Sequence, residues 1–355
     1  MTSFFLRRGS AAALAALGRG VARLEAWVRG PVDEAGDDEA RYRAFNTWYF
    51  SQLHQQERML ADGPRVDFYY ELICARVRPG DRMIDLGTGT GVLAAWASRQ
   101  GAAKVWALDH SAILEHAKTL AEANGIERVE FVATHSTDFT LPEQVDVIVH
   151  EQMGDFLFDE SMVRNVCDLR DRLLAPGGRI LPSAFELYCE PVKLRDDRHV
   201  PFIWELNVHG FDYACMEKHR PQEDEYYRIA SCDEAMVEAF TSVPEPVLSF
   251  DLHTIDERTF IHEIAYQRTA REAGRVDALA VYFRVKGENG KALTTSPLEA
   301  GRSPHWGFRL LRLESRPLRA GDVLDLTLEA GAWADSDSWR WSCEVRPAAT
   351  TAEIT

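Results

Sequence analysis

A chain of 355 residues with 46% apolar and 27% charged side chains can hold two or three cored domains, and is too mixed to be collagen-like, coiled-coil or wholly disordered. Acids outnumber Lys and Arg 56 to 40, a formal charge of −16 that opposes non-specific binding to nucleic-acid backbones and attracts cations, or else serves solubility alone. No apolar run is long enough to span a membrane, and the six scattered cysteines (Cys74, Cys167, Cys189, Cys215, Cys232, Cys343) lack a C-x-x-C pair, so buried thiols in a reducing, cytoplasmic setting are expected, with no zinc and no other metal.

Residues 1–40 read as an N-terminal helix and an acidic linker. Leu14, Leu17, Val21, Leu24 and Val28 recur every three or four residues along one helical stripe, and Gly30-Pro31 ends it. Arg7, Arg8, Arg19, Arg23 and Arg29 face a single acid there, Glu25. The stretch Ala11–Leu17 is too short and alanine-rich for a secretory signal. Packing on the body or on a second subunit is the leading expectation, with a targeting or membrane-surface helix and a dispensable tail as alternatives. Five acids in residues 31–40 predict a solvated linker.

From residue 66 the pattern alternates helix and strand. Val66–Val77 is helical, and Met83-Ile84-Asp85-Leu86 is a short apolar strand leading into Gly87-Thr88-Gly89-Thr90-Gly91 and another helix. Strand, glycine turn and helix make a nucleotide-binding βα unit, because glycines let backbone approach a ligand at an open helix N-terminus. The third glycine falls one position early for a dinucleotide fingerprint. G-x-G-x-G after a strand bearing Asp85 is the arrangement of S-adenosylmethionine (SAM) methyltransferases, with a nicotinamide enzyme as the alternative. The next strand ends in Asp109, 22 residues past Gly87 and beside His110, where a carboxylate can accept from both ribose hydroxyls. Strand candidate Val129–Val132 precedes Thr137 and Asp138, placed to meet an adenine, with helix capping an equal alternative for Asp138. Val145–Val149 delivers His150 and Glu151, and Leu173–Leu181 closes this half.

In Glu151-Gln152-Met153-Gly154 through Asp159-Glu160-Ser161-Met162, two glutamates nine residues apart flank a glycine-containing hairpin. This stretch resembles the double-E loop of the protein arginine N-methyltransferases, with the E-x-M-G core and E-S-M ending. Other motifs follow in the family's order from about residue 42 to 345. Trp48-Tyr49-Phe50 looks like the aromatic helix over the cofactor, and Met59-Leu60 with Arg65 looks like the segment whose arginine pairs with the SAM carboxylate. Gly210-Phe211-Asp212-Tyr213 after Trp204 looks like the start of the dimerisation arm, and Ala280-Val281-Tyr282-Phe283 like a strand of the second domain. Thr295-Ser296-Pro297 with Pro304-His305-Trp306 resembles the T-H-W loop.

The resemblance implies methyl transfer from SAM to a guanidino nitrogen of arginine in a protein or peptide, by a homodimer. Glu151 and Glu160 would clamp the guanidinium, and His305 would shape the acceptor site, hydrogen-bonded to another acid. Met59, Met162, Asp155 and Trp306 would lie on the substrate side, the methionine pair narrowly favouring asymmetric dimethylation. Tyr49, Phe50, Arg65, Asp85, Gly87, Gly89, Gly91, Asp109, His110, Thr137, Asp138 and Glu151 would serve the cofactor. Each also has a plainer reading: Glu160 as a helix-terminal acid, His305 as a packed histidine, the methionines as core. The chain departs from the pattern in a lid about three residues shorter, in Leu53 where a tyrosine often lies, and in Gln152, Asp155 and Asp159 where aromatics are common. The added acids would suit a basic peptide or a free guanidino compound. A small-molecule methyltransferase and a non-catalytic SAM-binding or scaffold protein stay open beside the leading reading.

After residue 183 the glycine-turn-helix logic stops. Strand-like runs at 184–192, 246–252, 259–267, 278–286, 306–313 and 323–329 predict a mostly antiparallel, barrel-like domain. The polar, helix-compatible residues 203–240 match the arm. The expected fold is therefore α/β: a Rossmann-like parallel sheet over 41–182 with an N-terminal lid, then a β-barrel-like substrate domain over 183–355 with a helical dimerisation arm.

Overall fold

The computed structural model describes residues 46–348 apart from 155–156, 159, 230–233 and 257–259. The expectations for residues 1–40, and those for Asp155, Asp159 and Cys232, lie outside the described residues.

Residues 46–50 are helical and lead into α1 (Leu53–Ala61) and α2 (Gly63–Arg76). Asp62 separates these two helices and caps α2, its side chain accepting from Arg65 N at 3.0 Å, with Pro64 in the first turn where its missing N–H costs nothing. Then helix and strand alternate: β1 (Arg82–Leu86), α3 (Val92–Arg99), β2 (Lys104–Asp109), α4 (Ile113–Ala123), β3 (Val129–Ala133), β4 (Val145–His150), α5 (Met162–Leu173) and β5 (Leu174–Leu181). These strands form one parallel sheet in the order β3-β2-β1-β4-β5. The order reverses beside β1, so its carboxyl end and that of β4 open on a shared crevice. The central strands β1, β2 and β4 are nearly continuous apolar runs because helices cover both faces.

The second half is antiparallel: β6 (Ala184–Leu194), β7 (Asn207–Val208), β8 (Phe211–Asp212), β9 (Arg228–Ile229), β10 (Val237–Phe240), β11 (Leu248–Asp251), β12 (Glu263–Thr269), β13 (Gly274–Lys286), β14 (Ala292–Thr294), β15 (Arg309–Leu318), β16 (Val323–Ala332) and β17 (Asp335–Arg346). A seven-stranded sheet runs β10-β6-β13-β15-β9, with β11 on β6 and β14 on β13, and a three-stranded sheet runs β12-β16-β17. Every expected strand-like run has its counterpart; β14 and β17 are additions, as are the short strands β7–β10 within the arm. The helix-compatible arm is built from 3-10 turns (Ile203–Glu205, Ala214–His219, Asp224–Tyr227) and the β7–β8 pair. Its residues 228–229 and 237–240 return to the main sheet as edge strands.

One apolar core runs through both halves, from Ile84 and Val147 through Phe185 to Trp339. Inside the β half, Glu190 on β6 and Arg268 on β12 form a buried fork, with contacts from 2.6 to 3.1 Å that tie the two antiparallel sheets together.

Candidate active site

The glycine turn after β1 is shaped by its own neighbours. Gly87 and Thr88 donate their amides to Leu108 O at 3.0 and 2.9 Å, and Gly89 donates to Asp109 Oδ2 at 3.0 Å. Gly89 has φ +54, and a Cβ there would stand 3.0 Å from Gln56 Oε1 of α1, so only glycine suits the position. Asp109 is 8% exposed and its other oxygen accepts from Ser111 N at 2.8 Å, which fixes the carboxylate at the mouth of β2.

A single pocket lies over this turn. Phe50, Met59, Arg65, Gly87, Gly89, Asp109, His110, Thr137, Glu151 and Glu160 all line it, so most of the sequence-derived candidates converge. Glu151 follows the end of β4 and Glu160 stands at the start of α5, on the opposite limb of the hairpin. The hairpin is held in an unusual conformation: Leu157 and Ser161 have φ of +75 and +56. Phe158 anchors it among Phe250, Phe260 and Trp333, with ring centroids 5.1–5.6 Å apart.

Arg65 and Glu151 meet directly. Arg65 Nη2 lies 2.8 Å from Glu151 Oε2, and Nη1 donates to Met59 O at 2.9 Å. Burial opposes the charge on Arg65, but the Glu151 carboxylate more than offsets it and the pKa lies above its ordinary value. Arg65 Nε and the Tyr69 hydroxyl are buried without a hydrogen-bond partner.

Several candidates stand elsewhere. Tyr49 packs edge-on against Phe50 (5.1 Å, 89°) and supports the ring that faces the pocket. Asp85 is wholly buried beneath the turn, accepting from Thr88 Oγ1 at 2.6 Å and Ala94 N at 3.1 Å; it shapes the loop from below, and burial pushes its pKa up to about 7. Gly91 is the N-cap of α3 at φ +81, where a Cβ would come 3.0 Å from the Phe131 ring, so its glycine serves packing. Asp138 ends a 3-10 turn and does not line the pocket, whereas His135 and Ser136 do. Met162 is fully buried core at the start of α5, so the expected methionine pair reduces to Met59.

The acid beside His305 is Asp62, but its contact is to the backbone: His305 N donates to Asp62 Oδ2 at 3.1 Å. The imidazole Nδ1 is buried with no partner, and burial holds the ring's pKa below its usual value. Trp306 is also outside the pocket lining. Its Nε1 donates to Met153 O at 2.5 Å, so it braces the hairpin from the β half, and the Arg65 guanidinium lies 5.7 Å from its ring centroid.

Sequence reasoning passed over Asp62, Gln56, Tyr69 and Arg164. Asp62 also accepts from Ser303 Oγ, joining the α1–α2 corner to the 303–306 loop. The run Asp62-Gly63-Pro64 was its only local signal, an N-cap followed by proline. Gln56, Tyr69 and Arg164 line the pocket without belonging to any motif.

A methyltransferase-domain family model matches residues 83–178. Protein arginine N-methyltransferase 10 of Arabidopsis thaliana is 31% identical over 328 residues, 84% of either chain. Protein arginine N-methyltransferase 6 of Xenopus tropicalis is 33% identical over 282 residues, 75% of this chain and 79% of that protein. The crystal structure of the Arabidopsis thaliana methyltransferase 10, in an open conformation, superposes with a TM-score of 0.72 at 27% identity, covering 85% of this chain and 96% of that one. A Trypanosoma brucei enzyme–prozyme heterotetramer with AdoHcy shares the fold at TM-score 0.71 and 24% identity, over 84% of this chain and 95% of its own. Both the relatives and the architecture therefore place this chain in the protein arginine N-methyltransferase family.

Proposed function

We propose that this enzyme transfers a methyl group from SAM to a terminal guanidino nitrogen of arginine in a protein or peptide, with the residue roles below. The observation that carries the reading is the convergence in one pocket of the glycine turn and Asp109 with the paired carboxylates Glu151 and Glu160. The donors present suit SAM. Arg65 offers a cation and an unspent buried Nε for its carboxylate, Gly87 and Gly89 leave room for its amino-acid portion, and Asp109 faces the ribose position. Phe50, His110 and Thr137 complete the enclosure. When bound, SAM supplies a methyl group on a sulfonium, already a strong electrophile.

The protein's task is then placement. A guanidinium is planar and stays protonated, and two carboxylates can take it in paired charge-assisted hydrogen bonds. Glu151 and Glu160 draw positive charge toward the bonded nitrogens and leave the remaining nitrogen's lone pair available. Holding reactants in line contributes about 7–11 kcal/mol in favourable cases. The proton leaves as the new bond forms, and Glu160 accepts it. The internal Arg65–Glu151 pair, at 2.8 Å, supports the clamp assignment, because it shows the Glu151 carboxylate placed to take a guanidinium.

The proposed assembly is a cytoplasmic homodimer with domains at 41–182 and 183–355. No helix among the described residues is long and apolar enough to cross a membrane. Mass spectrometry after incubation with SAM and a mixed library of arginine peptides and guanidino metabolites tests the activity. Methylated arginine peptides are expected, with Glu151→Gln and Glu160→Gln each lowering kcat by about 10²–10³. Full activity in both variants would overturn the clamp, and methylation of metabolites alone would overturn the substrate class.

A further inference from the structure

A second groove lies where the arm rejoins the β half. Arg220 and Pro221 of the arm form one wall, and Arg312, Arg316, Arg340 and Trp341 of β15 and β17 form the other. In a chain of net charge −16, the lining of this groove carries four arginines and one acid, Glu314.

That acid is saturated. Glu314 takes Arg220 Nη2 and Arg316 Nη2, the latter at 2.8 Å, and accepts from Trp204 Nε1 at 3.1 Å. Burial raises its pKa, but these donors outweigh that and hold it below the usual value. Arg312 has no carboxylate partner among the described residues. Its Nη1 and Nη2 donate to the carbonyls of Tyr226 (2.9 Å) and Val200 (3.3 Å). Arg316 and Arg340 are exposed on the same face.

The chemistry selects carboxylates over nucleobases. The aromatic rings that could stack a base are already engaged. Arg312 lies 4.0 Å from the Phe202 centroid, Phe202 and Trp204 stack at 4.7 Å and 7°, and Arg220 and Arg228 cover Trp204 and Trp341. The exposed Arg316 and Arg340 lie at the groove, and a guanidinium fork donates to a carboxylate through two parallel N–H groups. We propose that this groove is a docking site for an acidic stretch of polypeptide, rich in Asp and Glu, on a substrate or partner protein. The assignment does not rest on the methyl-transfer reading.

Fluorescence anisotropy with the full chain and a short labelled Glu/Asp-rich peptide tests it, alongside an oligouridine and inorganic phosphate. Saturable peptide binding is expected, weakened roughly tenfold or more in the double variant Arg316→Glu/Arg340→Glu and largely kept in Arg316→Lys/Arg340→Lys. Both positions are exposed, so folding is expected to survive, as circular dichroism would show. Methylation of a short arginine peptide without acidic flanks stays at wild-type rate in the reversal variant, which separates this groove from the catalytic pocket. Peptide binding that is absent, or indifferent to charge reversal, overturns the proposal. So does tighter binding of the oligouridine, or a change of oligomeric state on reversal without a change in peptide affinity, which would make the groove a contact between copies.

Discussion

Asp62 carries three connections on one carboxylate: the α2 cap at Arg65 N, Ser303 Oγ and His305 N. It is 1% exposed, so its removal strands buried donors as well as the cap. Asp62→Ala should lower stability by about 2–4 kcal/mol in urea unfolding, and should lower kcat/KM further, because Arg65 begins the turn that Asp62 caps. Two other buried groups make opposed pH predictions. Asp85 titrates near 7 in the folded chain against 3.8 for the free side chain. Between these values the folded state holds a proton that the unfolded chain has lost, so stability falls as pH rises through this window. His150 is held down to about 4 from 6.5, chiefly by burial, so its contribution is present above 6.5 and is lost as pH falls toward 4. In thermal unfolding between pH 4.5 and 6.5, Asp85→Asn should make stability rise more steeply with pH and His150→Asn less steeply; shifts in one common direction would refute the assignments. The motif residues Gly89, Asp109, Glu151 and Glu160 were legible because their signal is local spacing after a strand. The Arg65–Glu151 pair, the role of Asp62 and the burial of Met162 were not, since each depends on which distant segments the fold brings together.

At the scale of elements, the hairpin between β4 and α5 combines strain with anchorage. Positive φ at Leu157 and Ser161 is tolerated because Phe158 is locked in an aromatic cluster and Trp306 holds Met153 O. The arm has the opposite character: its β7–β8 tip leaves Val208 and Phe211 46% and 66% exposed. An apolar tip of this kind suits a partner surface. If the chain pairs through the arm as proposed, Phe211→Asp is expected to halve the mass measured by light scattering at micromolar concentration; an unchanged mass would overturn pairing through the arm. The parallel strands could be read from the sequence because both faces are buried and the runs are apolar. β17 was missed because Asp335 to Arg346 alternates polar side chains with only Trp339 fully buried. The arm's 3-10 turns were beyond a periodicity argument, being too short to repeat.

Across the whole molecule the excess of acid is not uniform, with a carboxylate-bearing pocket at one place and an arginine groove at another. Attraction of a basic peptide to so negative a chain acts partly at long range and is screened as the Debye length falls from about 10 Å at 0.1 M salt to 3 Å at 1 M. Raising KCl from about 0.05 to 0.5 M should increase KM for an arginine-rich peptide severalfold and leave kcat within about twofold, as initial rates would show. Kinetics indifferent to salt would confine recognition to the glutamate clamp.

The braces on the pocket also impose an order on its birth. Trp306 reaches back 153 positions to Met153, and Ser303 reaches back 241 to Asp62. Chain emerging from a ribosome can pair β1 with β2 and form the glycine turn early, but the hairpin that bears both glutamates gains its braces only from the β half, first Phe250 and Phe260 against Phe158, then Trp306 on Met153 O. A nascent or truncated chain ending near residue 182 would carry every motif read from the first half and still lack the scaffold that holds its glutamates in place. The two halves are therefore expected to act as one catalytic unit, with methyl transfer lost in a chain cut near residue 182 even where its glycine turn still forms.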